Sequence, residues 1–289
     1  MLYLQHPNIS QARQRNPVFT KLFSYDRSAS FDLKETATTE RDGVIIRDVT
    51  YAACDPRHKR IEAYVVRPSG KGRFAGVVFF HWLGNVKSDR TEFLDEAVAL
   101  AKQGTVSILI QGYFPWLEAP AEPLSDRRQI IDQTIEVRRA LDLLLKQPQV
   151  DAKRIAFVGH DYGAMFGGIV AGIEKRFKVY VLMAGLGNFS DWSLKYWPVT
   201  ANKGEGLYRQ TMLEVDPIGY VPKAAPARLL FQFSNKDKFI PRAAALEYFE
   251  AASEPKQIKW YDAVHDLNVD AARSDRREWL AQQLHLHAN

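Results

Sequence analysis

An α/β architecture with a mostly parallel sheet is predicted by three features of the sequence. Short β-rich runs alternate with amphipathic helical stretches, the first two runs form a hairpin, and one run, Ala75 to Phe80, is apolar without interruption. A strand that is apolar at every position is buried on both faces, as a parallel sheet covered by helices requires. With 289 residues, 46% hydrophobic and 25% charged, the chain can bury a large core as one unit, and disorder is excluded.

Residues 1–43 are polar and weakly periodic, broken by Pro7 and Pro17 and closed by the turn Arg41-Asp42-Gly43. They read as an N-terminal extension ahead of a domain spanning 44–289. Val44 to Ala53 and Ile61 to Arg67 make an antiparallel pair around the Asp55-Pro56 turn. After the apolar third strand comes a helix from about Asp89, where Asp89 and Glu92 suit a capping box and Phe93, Ala97, Leu100 and Ala101 share a face. Thr105 to Ile110 is the fourth strand. Ser125 to Gln147 is a long helix whose Ile131, Ile135, Leu141 and Leu145 lie in one stripe. Arg154 to Val158, Phe177 to Ala184, Leu229 to Phe233 and Gln257 to Tyr261 complete eight strands, with further helices at Pro241 to Ala252 and Val269 to Leu284. Helices on both faces leave ligand chemistry to the carboxyl ends of the strands.

The 39 Lys and Arg against 34 Asp and Glu give a net charge of +5, but the basic residues are interspersed with acidic ones, so a nucleic-acid surface is not expected. Cys54 is the one cysteine and cannot form an internal disulfide. No stretch reaches the roughly 18 consecutive apolar residues of a membrane span, and the start lacks the features of a secretory signal. A cytoplasmic protein acting on a small molecule is the expectation, with homo-oligomerisation through residues 1–43 left open.

The sharpest local signal is Phe157-Val158-Gly159-His160-Asp161-Tyr162-Gly163-Ala164, where a buried strand turns abruptly into a helix. Gly159 and Gly163 flank Asp161 at −2 and +2, where larger side chains would collide across a tight turn. Asp161 is thereby thrust above the sheet beside a helix N-terminus that favours negative charge. The plain structural alternative is an aspartate that only caps the helix.

These residues, with Asp237 after the seventh strand and His265 after the eighth, resemble the α/β-hydrolase superfamily over Val44 to Leu284. Nucleophile, acid, histidine is that superfamily's order. The absence of a large inserted cap domain and the Asp216-Pro217 break look most like the dienelactone-hydrolase-like branch. The resemblance implies Asp161 at the nucleophile elbow, His265 as base, Asp237 as its orienting acid with Asp266 as rival, and an oxyanion hole from the Tyr162 amide and one of Trp82 or Leu83. Those last two lie in His81-Trp82-Leu83-Gly84-Asn85, which resembles the superfamily's His-Gly-containing oxyanion loop with Trp82 in place of the glycine.

The elbow departs from the serine usual in the superfamily and the cysteine common in the dienelactone branch. An aspartate there resembles epoxide hydrolases and haloalkane dehalogenases, whose carboxylate attacks a saturated carbon and whose histidine-activated water cleaves the resulting ester. A carboxylate needs no base to deprotonate it before attack, unlike a serine hydroxyl. Yet Tyr162 and Leu83 replace the halide-binding tryptophan and the oxyanion-loop asparagine, and although Tyr196, Tyr208 and Tyr220 lie in the interval of the epoxide hydrolases' cap tyrosines, the full cap is missing. The leading expectation is therefore an Asp161-His265-Asp237 hydrolase acting through an alkyl-enzyme ester. An esterase or lactonase using His265-activated water is the alternative, and a non-catalytic binder the third reading.

Trp192, Tyr196, Trp197, Tyr208 and Tyr220, between Gly185 and Ala227, suit a small lid or substrate wall, or else aromatics packed on the sheet. Trp192, Tyr196, Trp197 and His81 are the substrate-binding candidates, with His81 and His160 also suiting buried hydrogen-bonding roles. His285 and His287 do not complete a metal-ligand set, and no phosphate-binding glycine loop follows a strand, so neither a metal nor a cofactor is expected.

Overall fold

A computed structural model describes residues 19–54, 60–83, 89–113, 123–196 and 204–286. Among the described residues, nine strands form one sheet: β1 (Lys34–Arg41), β2 (Val44–Ala52), β3 (Arg60–Pro68), β4 (Phe74–Phe80), β5 (Thr105–Ile110), β6 (Val150–His160), β7 (Val179–Met183), β8 (Arg228–Ser234) and β9 (Lys256–Tyr261). Their order is β1-β2-β3-β5-β4-β6-β7-β8-β9. The first three pair antiparallel, as do β3 and β5, and every pair from β5 to β9 is parallel. The sheet thus has one strand more than the eight expected. The extra strand is β1, Lys34-Glu35-Thr36-Ala37-Thr38-Thr39-Glu40-Arg41, exposed at every position. An edge strand that buries neither face carries no hydrophobic alternation to betray it.

The helices are α1 (Phe19–Leu22), α2 (Leu94–Lys102), α3 (Pro123–Leu145), α4 (Tyr162–Ile173), α5 (Phe189–Tyr196), α6 (Glu205–Met212), α7 (Arg242–Ala251) and α8 (Asp270–Leu284). On one face α2 and α8 are joined by the buried Arg276, whose guanidinium meets the Glu96 carboxylate at 2.8 and 3.1 Å. On the other lie α3 and α4, joined through Arg138 and Glu174 at 3.2 Å. The segment before β1 packs on this domain itself. Phe23 and Phe31 are buried, the Tyr25 hydroxyl donates to Asp142 at 2.6 Å, and Arg139 donates to the carbonyls of Ser30 and Ala52 at 2.7 and 2.9 Å. These contacts explain why charged residues of α3 lie buried outside its apolar stripe.

The helix expected from Asp89 begins at Leu94 instead, without a side-chain cap. Asp89 closes a local turn by accepting the Thr91 amide at 2.7 Å. Glu92 points away from the helix end, toward the carboxyl end of β4.

The elbow is where the chain passes from β6 into α4. Asp161 has φ 54° and ψ −115°, a backbone conformation that L side chains adopt only when their surroundings enforce it. Its amide donates to the Met183 carbonyl of β7 at 2.8 Å, and its carbonyl accepts the Met165 amide at 3.0 Å. Gly163 makes the turn sterically feasible: a Cβ there would stand 2.2 Å from the Phe80 carbonyl oxygen at the end of β4.

Gly163→Ala is therefore expected to destabilise the chain by at least about 2 kcal/mol, because the clash is with backbone that cannot swing aside. Gly206→Ala in α6, where a Cβ meets nothing within 4 Å, is expected instead to stabilise by about 0.5–1 kcal/mol. Urea unfolding of the two variants checks both signs.

Candidate functional site

Four loops converge at the carboxyl end of the sheet: residues 81–83 after β4, the elbow after β6, residues 235–240 after β8 and residues 262–269 after β9. The last two are held side by side beyond their strands. The Asn235 amide donates to the Tyr261 carbonyl at 2.8 Å, the Lys236 amide to the Ala263 carbonyl at 3.1 Å, and the Ser234 hydroxyl also reaches the Ala263 carbonyl. This brings Asp237 and His265, 28 residues apart in sequence, into contact.

His265 lies between two carboxylates. Its Nδ1 is 2.8 Å from Asp237 Oδ2, and its Nε2 is 3.6 Å from Asp161 Oδ1. The first is a direct hydrogen bond; the second is an ion-pair contact just beyond hydrogen-bond range, a spacing that a water can bridge. Asp237 is itself fixed, because its Oδ1 accepts the Phe239 and Ile240 amides at 2.8 and 3.0 Å. Asp266, the rival acid, accepts the Asn268 amide at 3.1 Å and closes its own turn.

Asp161 is fully buried, and its carboxylate does not cap α4. Oδ2 instead accepts the Leu83 amide at 3.1 Å, while Oδ1 is buried with no hydrogen-bond partner among the described residues and faces His265. The Trp82 amide donates to Glu92 Oε2 at 2.9 Å. Of the two oxyanion candidates, then, Leu83 points at the elbow and Trp82 is turned away and already engaged. Tyr162 opens α4, directly after Asp161.

His81, a substrate-binding candidate, is buried in the loop after β4. It is 2% exposed, its Nδ1 donates to the Trp82 carbonyl at 2.8 Å, and its Nε2 accepts the Gly112 amide at 2.8 Å. Burial lowers its pKa, in keeping with a neutral ring that braces the loop. Among the aromatics, Trp192 and Tyr196 flank the site. Trp192 lies 5.8 Å from the His265 ring and edge-on to Tyr162 at 5.5 Å, and Tyr196 packs on Trp192 at 5.1 Å. Trp197 lies outside the described residues. Tyr208 and Tyr220 face elsewhere, to Asp126 at 2.8 Å and edge-on to Phe23 at 5.7 Å.

Phe239 completes the wall and escaped the sequence reading. Its ring meets His265 edge-on at 5.0 Å and Trp192 at 5.9 Å, and its carbonyl accepts the Tyr196 hydroxyl at 3.2 Å. Its position two residues after the candidate acid was the available signal.

The electrostatics follow from this geometry. Burial opposes charge on His265, but the flanking Asp161 and Asp237 carboxylates outweigh it and raise the imidazole pKa to about 9. Burial likewise opposes charge on Asp237, yet its bond to His265 and the two backbone amides hold its pKa below the ordinary value. Among the described residues, no group of three or more His, Cys, Asp or Glu side chains is arranged to hold a metal ion, and no helix is long and apolar enough to cross a membrane.

Sheet order, elbow and loop positions together define an α/β-hydrolase fold. Solved structures share it: an acetyl xylan esterase from Paenibacillus sp. R4 (16% identity, 96% of this chain and 100% of that one, TM-score 0.74) and acetyl xylan esterase 1 from Thermoanaerobacterium sp. JW/SL YS485 (12% identity, 96% and 99%, TM-score 0.73). A protein described as a putative dienelactone hydrolase from Klebsiella pneumoniae matches at 15% identity over 84% of this chain and 99% of its own, with TM-score 0.61. No protein-family model and no curated protein matches the sequence.

Protonated His265 is a stabilising partner for both carboxylates. An unfolded-chain imidazole loses its proton near 6.5, whereas the folded one keeps it up to about 9. This contribution is therefore fully present below pH 6.5 and is lost as pH rises to about 9. Denaturant midpoints are expected to fall across that window. Asp161→Asn is expected to flatten the fall and bring the His265 midpoint in an NMR titration down toward 6.5; an unchanged midpoint would show that Asp161 does not act on the ring.

Proposed function

We propose that the chain is a hydrolase of small carboxylic esters or lactones in which His265, oriented by Asp237, activates the attacking water. The observation that carries this reading is the 2.8 Å contact between Asp237 and His265 Nδ1, which aims Nε2 at the elbow beside the Leu83 amide. The fold neighbours named as acetyl xylan esterases and a dienelactone hydrolase support an ester substrate. In this scheme a water between His265 Nε2 and Asp161 Oδ1 donates one O–H to each. Neutral His265 takes the proton as the water oxygen attacks the substrate carbonyl carbon, and the imidazolium returns it to the departing alkoxide as the tetrahedral intermediate collapses to acid and alcohol. Leu83 and Tyr162 amides receive the developing oxyanion, a donor of this kind contributing about 2.7–4 kcal/mol. The aromatic wall of Trp192, Tyr196 and Phe239 confines the substrate to a compact apolar group.

A second reading is favoured by one contact: Leu83 already holds an Asp161 oxygen at 3.1 Å. Here the carboxylate attacks a saturated carbon, displacing a halide or opening an epoxide, and becomes an ester whose carbonyl oxygen sits on the Leu83 amide. Esterification removes a negative charge beside His265, so the ring releases its proton and can activate water against that ester. Attack of Asp161 on a substrate ester would instead produce an anhydride, a poorer exchange.

The two readings differ in pH profile and in where oxygen goes. Water-mediated ester hydrolysis requires neutral His265 in the free enzyme, so kcat/KM for p-nitrophenyl acetate is expected to rise with pH up to about 9. Single turnover in heavy-oxygen water should leave Asp161 unlabelled. Label in the elbow peptide, with kcat/KM for an epoxide or alkyl halide flat over the same range, would establish the second reading. Absence of turnover on all these substrates would defeat both.

A further inference from the structure

Glu92 links the separate parts of the site, yet none of the chemical steps uses it. Its carboxylate accepts two hydrogen bonds, from the Trp82 amide on Oε2 at 2.9 Å and from His160 Nδ1 on Oε1 at 2.6 Å. His160, one residue before Asp161 and 1% exposed, places its Nε2 3.0 Å from the His265 carbonyl oxygen. The Trp82 indole lies flat on the His160 ring, with centroids 5.2 Å apart and planes 11° apart. One carboxylate and one imidazole therefore join the loop after β4 to the loop after β9.

We propose that Glu92 and His160 form a positioning pair that sets the separation between the Leu83 amide and the His265 ring, the two groups that address Asp161. Leu83 follows Trp82 directly, so anchoring the Trp82 amide fixes the chain one residue before the Leu83 donor. At the other end, His160 grips the backbone of the residue whose side chain is the base. His160 is in covalent continuity with the site, directly preceding Asp161, and its ring links the Glu92 carboxylate to the His265 carbonyl.

The donor inventory makes the pair specific. The His265 carbonyl can only accept, so His160 Nε2 donates to it, while Nδ1 faces the Glu92 carboxylate. A glutamine at position 92 can keep both contacts, its oxygen taking the Trp82 amide and its NH2 donating to a bare Nδ1, whereas a leucine keeps much of the bulk, offers neither acceptor nor donor, and loses both. A displacement of about 1 Å in a reacting constellation costs on the order of a hundredfold in rate. The inference rests on the hydrolytic reading for its kinetic consequence, but its structural content can be read separately.

Two measurements test it. In the chain labelled with ring nitrogen-15 histidine, NMR at pH 7 should show His160 Nε2 bearing a slowly exchanging hydrogen; a bare Nε2 overturns the proposal without any variant. In Glu92→Leu, the Leu83 amide and His265 ring resonances should both move. With p-nitrophenyl acetate, kcat should fall about 10- to 100-fold with KM within twofold, and Glu92→Asp, which retains two acceptor oxygens, should recover part of the loss. A Glu92→Leu chain whose Leu83 and His265 resonances stay in place overturns the pair. So does an active one with kcat within twofold of the parent. If the parent hydrolyses no ester, the functional reading fails while the resonances still decide the positioning pair.

Discussion

The backbone at Asp161 is the constraint from which the rest of the site follows. A residue held at φ 54° and ψ −115° carries strain of order 1–3 kcal/mol, and the surrounding fold supplies the contacts that maintain it. Neighbouring β7 takes its amide, α4 takes its carbonyl, and Gly163 lets the helix lie against the end of β4. A relaxed aspartate at a helix start would fold its carboxylate back onto the first-turn amides. The strained one instead extends its carboxylate outward, to the Leu83 amide on one side and the His265 ring on the other. The strain is what converts a capping residue into one available for chemistry.

That placement governs the charge on the histidine. With a neutral hydroxyl at the elbow, His265 would feel one carboxylate, Asp237, and burial would oppose its protonation. With Asp161 it feels two, and the balance turns toward imidazolium well above its ordinary range. A site that rests with a charged histidine is poorly set to deprotonate water until one of the carboxylates is neutralised, displaced or screened by a bound substrate. The aromatic wall bears on this directly, since Trp192 and Phe239 exclude the solvent that would otherwise weaken both ion pairs.

The parts of this arrangement legible in the sequence were those with local or ordinal signatures. The elbow was visible because Gly159 and Gly163 bracket Asp161, and Asp237 and His265 because each follows a β-rich run in the expected order. Contacts set by three-dimensional approach were not legible. Glu92 looks like a helix-capping residue from its spacing to Asp89, but the chain turns between them, and the carboxylate serves Trp82 and His160 instead. The choice between Trp82 and Leu83 as amide donor depends on peptide-plane orientation, which no residue pattern encodes. Among the strands, β1 was invisible for a simpler reason: it pairs through backbone groups alone, and its side chains bury nothing.

Which carbonyl the Leu83 amide serves is the point on which the chemistry turns. As the site stands, that amide is satisfied by Asp161 Oδ2, so a substrate ester must displace an ionic acceptor to enter the oxyanion position. A carbonyl is a weaker acceptor than a carboxylate, and the exchange is unfavourable unless the tetrahedral oxyanion, not the ground-state carbonyl, is what the amide finally binds. An ester formed on Asp161 itself faces no such exchange, because its carbonyl oxygen already lies on the donor. The esterase scheme therefore requires Asp161 Oδ2 to withdraw from the Leu83 amide during turnover while Oδ1 still holds the water, and the alkyl-enzyme scheme requires the Leu83 contact to remain. The strained backbone limits that withdrawal to side-chain rotation, so the mobility of one buried carboxylate separates the two kinds of hydrolase that this fold could support.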